Sequence, residues 1–138
     1  MRFMIIVKAT AASEAETSPA PADDKLMAAM ADYHEALAKA GVLLDGAGLQ
    51  PSAKGWRIHY SKGQRTLVDG PFAETKELVA GYTLIQVKSR EEALEWTRRF
   101  PAPMGELEDG QIEVRQLYEL DDFPPGEATE RFKTIGVL

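Results

Sequence analysis

Three observations predict an α+β fold of the ferredoxin-like βαββαβ kind with an inserted β-hairpin. Extended apolar runs and helical stripes follow the order strand, helix, strand, hairpin, strand, helix, strand. Both helical segments carry start or stop signals. Two of the strands are apolar on both faces, more than two helices on one side of a sheet can cover.

The first strand spans Met1 to Ala9, and the Ala-, Ser-, Glu- and Pro-rich stretch Thr10 to Ala22 is expected to be a mobile loop. The first helix begins near Asp23-Asp24, whose carboxylates suit a helix N-terminus. Leu26, Met30, Tyr33, Leu37 and Ala40 form its buried stripe, and Gly41 ends it. Val42 to Leu49 is extended, broken by Gly46 and Gly48. Trp56 to Tyr60 alternates, Ser61-Lys62-Gly63-Gln64 turns the chain, and Arg65 to Val68 returns, giving a hairpin. Gly81 to Val87 is the next strand. Ser89-Arg90-Glu91-Glu92 forms a capping box for a helix with Ala93, Trp96, Thr97 and Phe100 on one side, stopped by Pro101 and Pro103. Gln111 to Leu120 is the last strand. Residues 1–120 form one domain, and 121–138 form a tail that packs on the domain or on a partner.

In the first strand Phe3, Ile5 and Val7 share one face while Met4 and Ile6 occupy the other. Likewise Tyr82 and Leu84 oppose Ile85 and Val87. The second face therefore needs a cover. An isologous homodimer with sheets packed face to face, as in dimeric α+β barrels, supplies one. A folded-over tail is the alternative, since it carries Phe123, Phe132, Ile135, Val137 and Leu138.

Composition narrows the function classes. With 44% hydrophobic and 28% charged residues, the 138-residue chain has the balance of a soluble globular domain. No window reaches the ~18 apolar residues that a membrane span requires, and Phe3 to Val7 is too short for a signal-peptide core, so the expected location is cytoplasmic. A formal net charge of −6 argues against direct nucleic-acid binding. The basic pair Arg98-Arg99 ends a helix, where cations complement the dipole. Zero cysteines exclude thiolate metal sites, and only two histidines occur, on different elements, so neither a metal nor an organic cofactor is expected.

The stretch Val68 to Glu77 is the most informative. Asp69 precedes a Gly70-Pro71 turn; Gly70 can take positive φ, and Pro71 stiffens the backbone beside the carboxylate. Asp69 is either a turn cap or, if desolvated, a general acid or base. Lys76 is a candidate anion clamp or an exposed ion pair with Glu74 or Glu77. Phe72 and Tyr82 are candidate pocket walls, with core packing favoured for Phe72. His34, on the edge of the apolar stripe, is a satisfied half-buried residue or a proton shuttle. His59 lies opposite Trp56, Ile58 and Tyr60 on the hairpin and is expected to face solvent.

The run Asp69-Gly70-Pro71-Phe72-Ala73-Glu74-Thr75-Lys76-Glu77 closely resembles the signature of the DGPF subgroup of YCII-related proteins. Arg2–Val7, Ala40–Leu49, Gly81-Tyr82, Glu92–Trp96 and Ile112–Arg115 also look like family positions, so the likeness extends from Met1 to about Tyr118. It implies the same α+β architecture. In the broader group a His–Asp pair has been proposed as catalytic, but its histidine would fall nearer Met30 than His34, so the pair does not carry over whole. The resemblance implies two functions. One is a cofactor-free small-molecule enzyme using Asp69 and His34, with Gly70, Pro71, Phe72, Lys76 and Tyr82 binding a small organic, possibly anionic ligand. The other is a noncatalytic ligand-binding or regulatory dimer, because such proteins are often encoded near alternative sigma factors.

Overall fold

The computed structural model describes residues 1–15 and 24–137. Strands β1 (Arg2–Lys8), β2 (Leu43–Gly48), β5 (Val79–Gln86) and β6 (Ile112–Gln116) form one antiparallel sheet in the order β2-β5-β1-β6. Strands β3 (Trp56–Ser61) and β4 (Gln64–Asp69) form a separate two-stranded ribbon. Helix α2 (Asp24–Lys39) links β1 to β2, and α3 (Arg90–Arg98) links β5 to β6. The outcome is an α+β chain with the hairpin where alternation predicts it.

Alternation decides which face each residue serves. Phe3, Ile5, Ile85 and Val87 face the helices and are buried with Tyr33, Leu37, Val42 and Ala93; Ile5, Leu37 and Ile85 are 0% exposed. Met4, Ile6, Tyr82 and Leu84 point the other way and are only half-buried. Gly41 ends α2 with φ +74°, a conformation that favours glycine. The stripe of α2 is narrower than expected: Tyr33 and Leu37 are buried, whereas Ala40 is exposed beyond the helix end. Across the core, the Tyr33 hydroxyl donates to the Trp96 carbonyl at 2.8 Å and ties α2 to α3.

Four local expectations change. Part of the loop at 10–22 is a single helical turn, α1 (Ala11–Glu14), closed by a reciprocal Thr10–Ser13 capping box. Residues 16–23, including the expected helix start at Asp23, lie outside the described residues. Strand β2 continues through Gly46 and Gly48, with its irregularity placed instead between Leu43 and Asp45. Ser89 Oγ accepts from the Glu92 amide at 3.1 Å as a cap should, but the Glu92 carboxylate accepts from Lys88, two bonds that leave the box open. Strand β6 stops at Gln116 because Glu119 turns to form a forked ion pair with Arg2, at 3.0 and 3.1 Å.

Beyond it lie a 3₁₀ turn (Leu120–Asp122) and helix α4 (Glu127–Ile135). Phe123 packs against the Tyr118 ring at 5.2 Å, but Phe132, Ile135 and Val137 are exposed; Leu138 lies outside the described residues.

Burial pushes the Tyr33 phenol up to about 12 despite the opposing pull of Arg99. The unfolded chain releases this proton near pH 10, so the stabilisation is complete below that pH and is lost as pH rises toward 12. Urea unfolding across that range should show a loss of stability that Tyr33→Phe largely abolishes. An unchanged slope in the variant would remove Tyr33 as its source.

Candidate functional site

The Asp69–Phe72 turn is anchored by contacts from distant parts of the chain. Asp69 closes β4 directly opposite Trp56 on β3, and the Gly70 amide donates to the Gly55 carbonyl at 3.0 Å, extending the ladder. The Gly70-Pro71 peptide is cis. Positive φ is not what the site requires of Gly70, which is absent from the residues with that conformation. It requires close approach: a Cβ there would overlap the Ser52 carbonyl oxygen.

Ser52 is the junction. Its hydroxyl accepts from the Phe72 amide at 3.1 Å and donates to Glu14 Oε2 at 2.6 Å. The Ser52 amide also donates to the Glu14 carboxylate, at 3.1 and 3.2 Å. Glu14 belongs to α1 and Ser52 to a 3₁₀ turn (Ser52–Lys54), so two short segments hold the Asp69–Phe72 turn. Phe72 is half-buried, and the Arg57 guanidinium lies 3.8 Å from its ring centre in a cation–π contact. Pro71 and Lys76 are exposed, Lys76 in a 3₁₀ turn (Thr75–Glu77) that leads into β5. Asp69 is exposed, and among the described residues no hydrogen bond or ion pair engages its carboxylate.

His34 is in a different environment, on the helix side of the main sheet. Its Nδ1 lies 2.7 Å from the Met30 carbonyl. Because a carbonyl only accepts, Nδ1 carries a proton. In the neutral ring, Nε2 then accepts the Thr83 hydroxyl at 2.8 Å. Thr83 is 3% exposed, and the rings of Tyr33 and Phe100 flank the imidazole. Both ring nitrogens are therefore engaged by the protein, and among the described residues no hydrogen bond joins His34 to Asp69. His59 is exposed on the hairpin.

Tyr82 lies on the open sheet face. Its hydroxyl donates to Asp45 Oδ2 at 3.0 Å, while Asp45 Oδ1 accepts from the Gly46 amide at 2.8 Å. That bond and the carboxylate's charge hold the phenolic proton and push its pKa up. Asp45 escaped the sequence reading, although β2 and β5 make it a diagonal neighbour of Tyr82. Glu14 and Ser52 also escaped it; their contact spans 38 positions, and no local pattern announces it. Among the described residues, no group of three or more His, Asp or Glu is arranged to hold a metal, and no helix is long and apolar enough to cross a membrane.

The family model described as the YCII-related domain matches residues 1–121. The chain belongs to this family. It is similar to an uncharacterized protein of Rhizobium meliloti (strain 1021), at 33% identity over 102 residues, or 74% of this chain and 82% of the relative.

For this YCII-related protein, the Ser52 junction makes a direct prediction. Gly70→Ala should displace the Ser52 turn and cost about 1–3 kcal/mol in urea unfolding, as overpacking does. Ser52→Ala should cost about 1 kcal/mol and speed hydrogen exchange at the Phe72 amide. A Gly70→Ala variant within ~0.5 kcal/mol of the parent, the usual range for neutral surface changes, would contradict the close packing.

Proposed function

We propose that this chain is a small-molecule-binding homodimer of the DGPF subgroup, with a ferredoxin-like, dimeric α+β-barrel architecture. The sheet order β2-β5-β1-β6, with α2 and α3 as crossovers, supports that architecture. The chief support for the binding role is the open sheet face. Met4, Ile6 and Leu84 form an apolar floor, rimmed by Tyr82–Asp45 on one side and Glu113–Arg115 on the other. A floor of this kind with a few fixed polar groups suits a small organic ligand, and a second copy packed over it would enclose the space.

Gly70, Pro71, Phe72 and Lys76 are proposed as further ligand-binding residues, with Lys76 attracting an anionic group. Binding is favoured over catalysis because the His34 nitrogens are engaged by Met30 and Thr83 rather than aimed at a ligand shared with Asp69. The second reading, cofactor-free acid–base chemistry, draws on the exposed Asp69 carboxylate beside a turn anchored through Ser52. A regulatory role linked to alternative sigma factors would use the same binding dimer.

Sedimentation equilibrium at micromolar concentration should give twice the 15.2 kDa chain mass. Leu84→Lys should weaken the dimer at least ~100-fold, because an isologous interface loses the side chain twice at ~1.5 kcal/mol each. Thermal shifts with small aromatic carboxylates should be positive for the parent and smaller for Lys76→Ala. A monomer at every concentration would sink the dimer; a dimer that none of these acids stabilises would sink the ligand class.

A further inference from the structure

The β3–β4 ribbon is the largest feature left without a role. A two-stranded hairpin is marginally stable alone in water, yet this one leaves apolar residues exposed along its length: Trp56 63%, Ile58 39%, Tyr60 70% and Leu67 58%. Register places these four on one face, since Ile58 is opposite Leu67, Trp56 opposite Asp69 and Tyr60 opposite Arg65. Arg57, His59, Thr66 and Val68 occupy the other face.

The ribbon also differs in charge from the rest of the protein. Residues 56–69 carry three cations, Arg57, Lys62 and Arg65, against the single carboxylate Asp69, a net +2. With the whole chain at −6, the remainder holds −8. A basic arm on an acidic body is complementary to another copy of the same body.

We infer that the hairpin is an intersubunit arm whose Trp56–Ile58–Tyr60–Leu67 face packs against a second copy of this chain. This rests on the homodimer proposed above and adds to it the part of each subunit that reaches across. The four side chains offer on the order of 400 Å² of exposed area. That is about half of the ~800 Å² per partner of a stable interface, so the arm supplements the open sheet face rather than replacing it.

A nucleic-acid strand is the weaker fit. Arg57 and Arg65 already lie over the Phe72 and Tyr60 rings, at 3.8 and 5.2 Å, and the acidic body repels phosphates. The centre of the face is aliphatic, which suits a protein surface.

The arm also bears on the candidate site. Asp69 and Trp56 are directly opposed on one face, so whatever covers the indole also screens the Asp69 carboxylate from water. Each site would then be complete only in the dimer.

The chain has two tryptophans, so Trp96→Phe leaves Trp56 as the sole reporter. Dilution of this variant from tens of micromolar to nanomolar, followed by sedimentation velocity and fluorescence together, tests the arm. Trp56 emission should be blue-shifted and shielded from acrylamide in the dimer, and should move to the red as the dimer dissociates. Leu67→Glu, at an exposed position, should raise the dissociation constant at least ~10-fold with the circular dichroism unchanged. A stable dimer in which Trp56 stays red-shifted and fully quenchable would overturn the arm and leave the dimer standing. A monomer throughout would remove the dimer and the arm with it. Quenching by single-stranded oligonucleotide at physiological salt, with self-association insensitive to Leu67→Glu, would make the ribbon a nucleic-acid surface instead.

Discussion

Burial on one face of the main sheet holds its strands and the two crossover helices together. Ile5, Ile85 and Leu37 meet with no exposed surface, holding β1, β5 and α2 together. Apolar burial is the dominant favourable term in folding, and removing a side chain of this kind typically costs ~2–5 kcal/mol. Both crossovers spend their apolar stripes on that face. The same strands, read at odd and even positions, leave Met4, Ile6, Tyr82 and Leu84 on the other side with less cover. Folding therefore creates a surface that a ligand or a second copy can use.

The Asp69–Phe72 turn obeys a different constraint. Its position depends less on local turn chemistry than on Ser52, whose hydroxyl accepts from Phe72 and donates to Glu14. The Gly-Pro step matters here for the space beside a carbonyl oxygen. At that spot a hydrogen atom fits and a methyl group does not. With its neighbours fixed from both ends, Asp69 rises from a stable base while its own carboxylate stays exposed to solvent.

How much of this was legible in sequence follows from how far each interaction reaches. Phe3-Met4-Ile5-Ile6-Val7 and the Tyr82 to Val87 run announce strands because short, nearly continuous apolar runs are a local pattern. Gly41 announces a helix end because left-handed backbone favours glycine, and its φ is +74°. The register irregularity in β2 was not legible, since it depends on how Leu43 and Asp45 meet β5. Neither was the end of β6, which is drawn off by the Arg2–Glu119 fork across 117 positions. The site divides in the same way. Asp69 and its turn stood out by composition, whereas Ser52, Glu14 and Asp45 became visible only when the fold brought them to Phe72 and Tyr82.

His34 shows why residue type alone could not decide between catalysis and binding. On the edge of the α2 stripe it reads from sequence as either a satisfied half-buried residue or a proton shuttle. The fold supplies it with a carbonyl on one nitrogen and a buried threonine hydroxyl on the other. Drawing a proton through Nε2 would first require breaking the Thr83 bond and leaving the hydroxyl of this buried residue without its partner. An unsatisfied buried polar group costs ~1–3 kcal/mol, and that penalty would be added to any barrier crossed by this route. The Asp69 carboxylate carries no such penalty, because it is exposed and unbonded among the described residues. His34, by contrast, is tied into the contact between α2 and β5.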